Sequence, residues 1–413
     1  MSGPFAFLLL AVASSVFPSF PSSASPDPPS APSPRPPALA EIDRRIREEF
    51  WDPNLKGVDW NGAVERAAAE LASAAGQPER DAAYDRLLAR LDDSHTFRIP
   101  AGKLPEARWA TAGLRIGRDG AGYAVKAVLP GGAAERAGLR LGDRILSIGG
   151  REYGLPRVDF RALFLALEGP LRSTVEVAWE TAAGERRTAA LALEPEPPGD
   201  TLFWRSARVL RRGGHAWGYA RLWGISPEVA LALVDLLSDR TESAAAKPEL
   251  AGLADIDGLL LDVRGNSGGY DPGILSTFLR GRWSAGDYRV RSRGRVRVVP
   301  PEYRPLPIAL LVNSGTASSG EALALKFRRH AIGPIVGEET AGMLSGGAAA
   351  AKLPDGSTLW FSARAIEDAD GRSYEGRGVR PDVLVPDRPA KAAGQEDAVV
   401  EAAIQALAAR ARK

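Results

Sequence analysis

Cysteine is absent from the 413 residues, which excludes disulfides, a thiol nucleophile, thiolate metal ligands and a cysteine-borne lipid anchor. Histidine is nearly absent: His95, His215 and His330 are the only three. Any imidazole-dependent mechanism must choose among those positions. With no H-x-x-x-H or H-E-x-x-H spacing, neither a catalytic metal nor another cofactor is expected. Charge of one sign is lacking too. The 53 Lys and Arg nearly balance the 51 Asp and Glu, and the net +2 is spread along the chain, so no nucleic-acid or polyanionic partner is expected. No internal repeat is evident. A bilayer-spanning run is also missing, because the longest apolar stretch, Phe5 to Phe17, has the length of a signal peptide.

That stretch and the small residues Ser22-Ser23-Ala24 predict a leader over residues 1–24 and an exported, periplasmic or extracellular protein, membrane-tethered if the leader is uncleaved. Residues 25–38 are rich in Pro and Ser and read as a spacer without a core. Residues 39–107 read as a helical segment running into Asp92-Asp93-Ser94-His95-Thr96-Phe97, so that Ser94 and His95 lie just past a helix end. Residues 108–196 are strand-rich. From residue 200 to 413 strands and helices alternate, which predicts an α/β fold.

The most informative stretch is Pro307 to His330. Ile308 to Val312 form a short continuous apolar block and predict a buried strand, whereas Glu321 onward has helical composition. Ser318 lies in the turn between them. There a hydroxyl is exposed beside backbone N–H groups at the positive end of a helix, a suitable place for a nucleophile and a developing oxyanion. Thr316, Ser318 and Ser319 are also good helix caps, and taken alone the turn is explained by capping. The stretch DGLLLDVRGNSGGY, Asp257 to Tyr270, reads as another buried strand ending in a polar turn whose Gly268 and Gly269 leave the backbone approachable.

DSHT, LLLDVRGNSGG, TASSGE, IVGEETAG and EGRGVRPDV, with a strand-rich insert after the first, resemble in this order the C-terminal-processing, or tail-specific, serine peptidases. The insert resembles a PDZ domain of bacterial proteases, with Pro130-Gly131-Gly132 and Gly142-Asp143 at matching places. The resemblance implies a crotonase-like ββα peptidase core, an N-terminal helical segment and an inserted β-rich PDZ domain. It implies no cofactor, and as substrates it implies proteins or peptides with free C-termini. Ala112, Gly113, Leu114 and Arg115 would form the loop whose free N–H groups hold a terminal carboxylate.

Most members of this family use a lysine base in a T-F-G-K-G stretch, where this chain has Thr340-Ala341-Gly342-Met343-Leu344. A thioether cannot accept a proton. The tricorn-type branch instead uses serine, histidine, serine and glutamate, which fall on Ser94, His95, Ser318 and Glu375. The implied roles are nucleophile for Ser318, base for His95, and orientation of the imidazole by Ser94 and Glu375. Ser319 N–H with that of Gly268 or Gly269 would form the oxyanion hole. His215 and His330 read as structural. The competing reading is an inactive peptidase-fold scaffold that binds peptide ends; an acyl-CoA enzyme on the same core has no support in these motifs.

Overall fold

In the computed structural model, residues 35–102, 109–120, 122–152, 166–237, 252–269, 286–290, 294–298, 306–388 and 397–411 are described. The expected leader, nearly all of the spacer and the segment 153–165 of the PDZ unit lie outside them. Pro36–Lys413 form one compact unit.

The chain enters through helix α1 (Pro37–Glu49), whose proline occupies the first turn, where its missing N–H costs nothing. Ala38, Leu39, Ile42 and Ile46 recur at helical spacing and are buried. Helix α2 (Trp60–Ser73) is capped by Asp59, whose carboxylate accepts the Gly62 N–H at 3.0 Å. Helix α3 (Gln77–Ala89) follows, and β1 (Phe97–Ile99) comes directly after Ser94-His95.

Next is the strand-rich insert expected to be the PDZ unit. It comprises β2 (Trp109–Thr111), β3 (Leu114–Asp119), β4 (Gly122–Val128), α4 (Ala133–Arg136), β5 (Arg144–Ile148), β6 (Arg151–Glu152), β7 (Glu168–Pro170), β8 (Thr174–Glu180), β9 (Arg186–Ala192) and β10 (Glu194–Pro195). Strands pair in the order β3-β4-β5-β8-β9 around a core that includes Ile116, Val125, Ile145, Val177 and Trp179, with β10-β2-β7 alongside.

The remainder is α5 (Gly199–Ser206), β11 (Arg208–Arg212), β12 (His215–Arg221), α6 (Pro227–Leu237), β13 (Gly258–Asp262), the hairpin β14 (Gly286–Val290) and β15 (Gly294–Val298), β16 (Ile308–Val312), α7 (Ser319–Arg329), β17 (Ile335–Gly337), β18 (Ser345–Lys352), β19 (Thr358–Ala365), β20 (Val383–Leu384) and α8 (Ala398–Ala411). The central sheet has the order β11-β12-β13-β16-β17-β20, and every pairing from β12 onward is parallel. Both faces of β16 are covered. Ile308, Leu310 and Val312 share one apolar cluster with α6 and α7, and Ala309 and Leu311 share another with α8. This explains why the strand reads as a continuous apolar run instead of an alternating one.

The N-terminal helices pack on a separate sheet, β1-β19-β18, burying Leu359 and Phe361. The pairing of Phe97 with Trp360 therefore carries the Ser94-His95 turn toward the C-terminal half of the chain. The fold is α/β, as the sequence predicts.

Candidate active site

Ser318 sits between β16 and α7 with φ 51° and ψ −119°, a conformation costly for a residue with a Cβ, by about 1–3 kcal/mol. Two acceptors hold its N–H there: Met343 C=O at 3.0 Å and Glu321 Oε2 at 3.1 Å. Glu321, three residues on, is fully buried and collects three more donors. Oε1 accepts from Thr340 Oγ1 (2.5 Å) and Gly342 N–H (2.8 Å), and Oε2 accepts from Met343 N–H (2.8 Å). Burial pushes this carboxyl up to about 7, while the four hydrogen bonds pull toward the ionised form. Glu321 is thus the knot joining the serine turn to residues 340–343.

His95 is brought to that turn from the other end of the chain. Its Nε2 is 3.4 Å from Ser318 Oγ, and its Nδ1 is 2.8 Å from Ser94 Oγ. When Nδ1 carries the proton and donates it to Ser94 Oγ, the Nε2 lone pair faces Ser318. Ser94 N–H donates to Glu375 Oε1 at 2.7 Å. The four residues of the expected tetrad thus lie together.

The turn beneath them is set by Asp93, which is buried. Its Oδ1 accepts from His95 N–H (3.1 Å), Thr96 Oγ1 (2.8 Å) and Ser362 Oγ (2.6 Å), and its Oδ2 accepts from Trp51 Nε1 (3.1 Å). Glu375 is held in a loop backed against residues 340–343. Gly376 N–H donates to Gly342 C=O at 2.7 Å, and Val379 N–H donates to Thr340 Oγ1 at 2.7 Å. The backbones approach so closely that a Cβ on Gly378 would come within 2.5 Å of Thr340 O, and Gly378 also has φ +81°.

Glu375 Oε2 is buried and has no hydrogen-bond partner among the described residues. Burial, then the Asp93 charge, raises the Glu375 carboxyl to about 7, against the lowering effect of its bonds with Ser94. A folded-state value above the unfolded 4.5 means that the protonated form is favoured on folding. This contribution to stability is complete below about pH 4.5 and is lost as pH rises through about 7. Glu375→Gln should therefore raise Tm at pH 8 relative to wild type and change it little at pH 5, as thermal melts at the two pH values would read. Equal shifts at both would show that the group does not titrate in this range.

The glycine turn lies across from Ser318. A Cβ on Gly268 would be 2.7 Å from Ser318 Cβ and 3.2 Å from Ser319 N, so only glycine fits there. The Gly268 N–H, however, already donates to Asn266 Oδ1 at 2.8 Å. Asn266 lies two residues back and draws that amide away from an oxyanion role, leaving Gly269 as the member of the expected pair to consider. Ser319 N–H is the first amide of α7, where no intrahelical acceptor exists. Its Oγ donates to Gly269 C=O at 2.9 Å, tying the two turns together.

The expected carboxylate loop departs from the sequence reading in one respect: two of its N–H groups are not free. Ala112 N–H donates to Leu167 C=O at 3.0 Å and Gly113 N–H to Thr111 Oγ1 at 3.1 Å. Leu114 is buried, and Arg115 is buried and paired with Glu196 at 2.5 Å. The other two histidines stand apart from Ser318: His215 is exposed beside Asp257 at 3.5 Å, and His330 follows the end of α7.

Sequence reasoning missed Asp93, Asn266 and Glu321 as parts of the site. The S-x-x-E spacing from Ser318 to Glu321, a capping-box pattern, is the signal that marks Glu321.

The chain thus joins a parallel-sheet α/β core, a strand-rich insert and a strained serine at a strand-to-helix turn. Residues 218–385 match peptidase family S41 and residues 124–159 match the PDZ domain. The chain thus carries an S41 peptidase domain and a PDZ domain. It is 29% identical over 398 residues to tricorn protease homolog 1 of Streptomyces coelicolor, covering 89% of this chain and 35% of that protein. It is also 29% identical over 327 residues to the chloroplastic C-terminal processing peptidase of Tetradesmus obliquus, covering 73% of this chain and 67% of that one. The solved photosystem II D1 C-terminal processing protease shares its fold, with a TM-score of 0.55 and 24% identity over 84% of this chain and 92% of that one. The chain spans about a third of the length of the tricorn protease homologs it matches.

Proposed function

We propose that this protein is a serine endopeptidase working through Ser318, His95, Ser94 and Glu375. The observation that carries the reading is the approach of His95 Nε2 to Ser318 Oγ, 3.4 Å, with Ser94 Oγ 2.8 Å behind the ring. That spacing is long for a hydrogen bond, as is common in catalytic units before substrate closes them. Ser318 Oγ bonds to the peptide carbonyl carbon as its proton passes to His95 Nε2. His95 then protonates the departing amine, leaving an acyl ester on Ser318, which water cleaves by the same relay. Ser319 N–H and Gly269 N–H stabilise the oxyanion. Ionised Glu375, acting with Ser94, holds the tautomer that keeps Nε2 available. Because the Glu375 carboxyl is raised to about 7, the acid limb of the activity profile contains its ionisation as well as that of an imidazole.

The finer reading is an exported peptidase whose PDZ unit takes free C-terminal tails at Ala112 to Arg115 once the Leu167 carbonyl gives up the Ala112 N–H. The leader-like segment, the spacer and the similarity to C-terminal processing peptidases support it. A serine-directed peptidyl phosphonate tests the core of the proposal: it should add to Ser318 alone, and an unlabelled protein would be a scaffold. Peptides with free and amidated C-termini, compared on the same preparation, test the tail reading. Equal cleavage of both would remove it.

A further inference from the structure

Met343 stands at the position where the family resemblance leads one to expect a lysine. Its side chain is buried and belongs, with those of Ala317 and Ala341, to the apolar core of the PDZ unit, together with Leu114, Ile116 and Leu167. The next residue, Leu344, belongs instead to the core under the central sheet. At this point the chain runs along the seam of two cores and sends successive side chains into each.

The main chain of Met343 is bound to the serine turn through both of its polar groups. Its carbonyl accepts the Ser318 N–H at 3.0 Å, and its N–H donates to Glu321 Oε2 at 2.8 Å. One pairing further along, Ala341 N–H donates to Thr316 C=O at 2.9 Å. Segments 316–318 and 341–343 therefore form a short two-rung pairing, and the apolar side chains of both enter the PDZ core.

Independent contacts hold the front of the same turn. Ser314 Oγ donates to Arg118 C=O at 2.7 Å, and Asn313 Nδ2 donates to Lys126 C=O at 3.2 Å. Gly117 of β3 lies so close that a Cβ there would come within 2.5 Å of Ser314 O and 2.7 Å of Gly315 N, both backbone atoms that cannot swing aside. Lys126 Nζ pairs with Glu338 at 3.0 Å.

We propose that Met343 is a positioning residue that anchors the strained Ser318 turn in the core of the PDZ unit, which makes that unit a fixed wall of the active site. The thioether contributes no proton chemistry. It supplies a flexible apolar plug that fills the core and carries the hydrogen-bonded backbone with it. A residue held at φ 51° needs surroundings that determine its position from several sides, and here one of those sides belongs to the inserted unit. The catalytic part of this inference rests on Ser318 being the nucleophile; the anchoring part does not.

The test uses the full chain with Met343→Ala, Met343→Leu, Met343→Lys and Gly117→Ala. It reads kcat and KM on a fluorogenic peptide, the rate of phosphonate labelling, and amide hydrogen exchange over residues 316–322. Met343→Ala should lower kcat and the labelling rate at least about tenfold with KM nearly unchanged, and should speed exchange in 316–322 by a similar factor while β13 stays protected. Met343→Leu should restore all three to within about twofold. Gly117→Ala, a change wholly within the PDZ unit, should reproduce the loss of kcat, so the test survives even if the alanine variant at Met343 fails to fold. Met343→Lys should fall at least as far as alanine, because an ammonium is expelled from an apolar core. A folded Met343→Ala or Gly117→Ala protein with kcat and 316–322 exchange within twofold of wild type would overturn the proposal. So would recovery of activity by Met343→Lys in a His95→Ala background, since the side chain would then face Ser318 and not the PDZ core. If wild type itself resists labelling, the peptidase reading fails, and the exchange rates alone still decide whether Met343 anchors the turn.

Discussion

His95→Ala should lower kcat/KM about 10⁴-fold or more, as far as Ser318→Ala does, and the double variant should be no worse than either single one. The reason is geometric. The ring stands between Ser318 Oγ at 3.4 Å and Ser94 Oγ at 2.8 Å, and no other histidine approaches Ser318, since His215 is exposed beside Asp257 and His330 follows the far end of α7. Members of one proton relay fail together, because a nucleophile without its base, or a base without its nucleophile, leaves only binding and the oxyanion donors. Glu375→Gln should cost less than either, since it disturbs orientation without deleting a reacting atom. Steady-state kinetics on a peptide substrate, with the variants purified away from host proteases, decide the matter. A His95→Ala protein with near-normal turnover would show that the base is elsewhere.

Arg264→Met should be the most destabilising of the changes considered, by about 3–5 kcal/mol, which for a chain of this size lowers Tm by roughly 4–6 °C. The guanidinium is buried among three carboxylates, at 2.7 Å from Asp262, 2.9 Å from Asp387 and 2.7 Å from Asp397. Asp262 is fully buried and also accepts the Tyr219 hydroxyl at 2.6 Å. Although burial opposes ionisation, the charges of Arg264 and Arg221 hold the Asp262 carboxyl well below the usual carboxylate range. Its stabilising contribution is therefore present above the ordinary carboxylate pKa and is lost only as pH falls far into the acid. Methionine fills the space but removes the guanidinium paired with both Asp262 and Asp387, leaving only the more distant charge of Arg221. Activity should fall with stability, because Arg264 leads directly into Gly265 and Asn266, and Asn266 fixes the Gly268 amide. A melting temperature within about 2 °C of wild type would show that water or neighbouring donors replace the guanidinium.

Much of this was legible in the sequence. Ile308 to Val312 reads as a buried strand and is one over those same residues, because a strand covered on both faces leaves an unbroken apolar signature. The helix after Ser318 starts at Ser319, ahead of the expected Glu321, because Ser319 and Gly320 make up its first turn while carrying poor helix propensity. Other features depend on partners that sequence distance hides. Asp93 is bonded by Ser362, 269 residues away, a buried donor that no local pattern marks. The amides of the carboxylate loop look free until the Leu167 carbonyl occupies one of them. At Met343 the sequence reveals a thioether that can accept no proton, but not which of two adjoining cores receives it.

The groups around Ser318 come from far apart along the chain: 223 residues separate His95 from Ser318, and 281 separate Ser94 from Glu375. Asp397, just ahead of the last helix, locks onto Arg264 beside the glycine turn. A ribosome that has made the first three hundred residues has therefore made neither the Ser318 turn nor the Glu375 loop of the proposed site. A chain stopped short of residue 375 lacks the carboxylate that accepts the Ser94 N–H, and one stopped before α8 leaves a face of the central sheet bare. Completion of synthesis and closure of the longest loops, the slowest part of folding, must therefore both precede assembly of the proposed site.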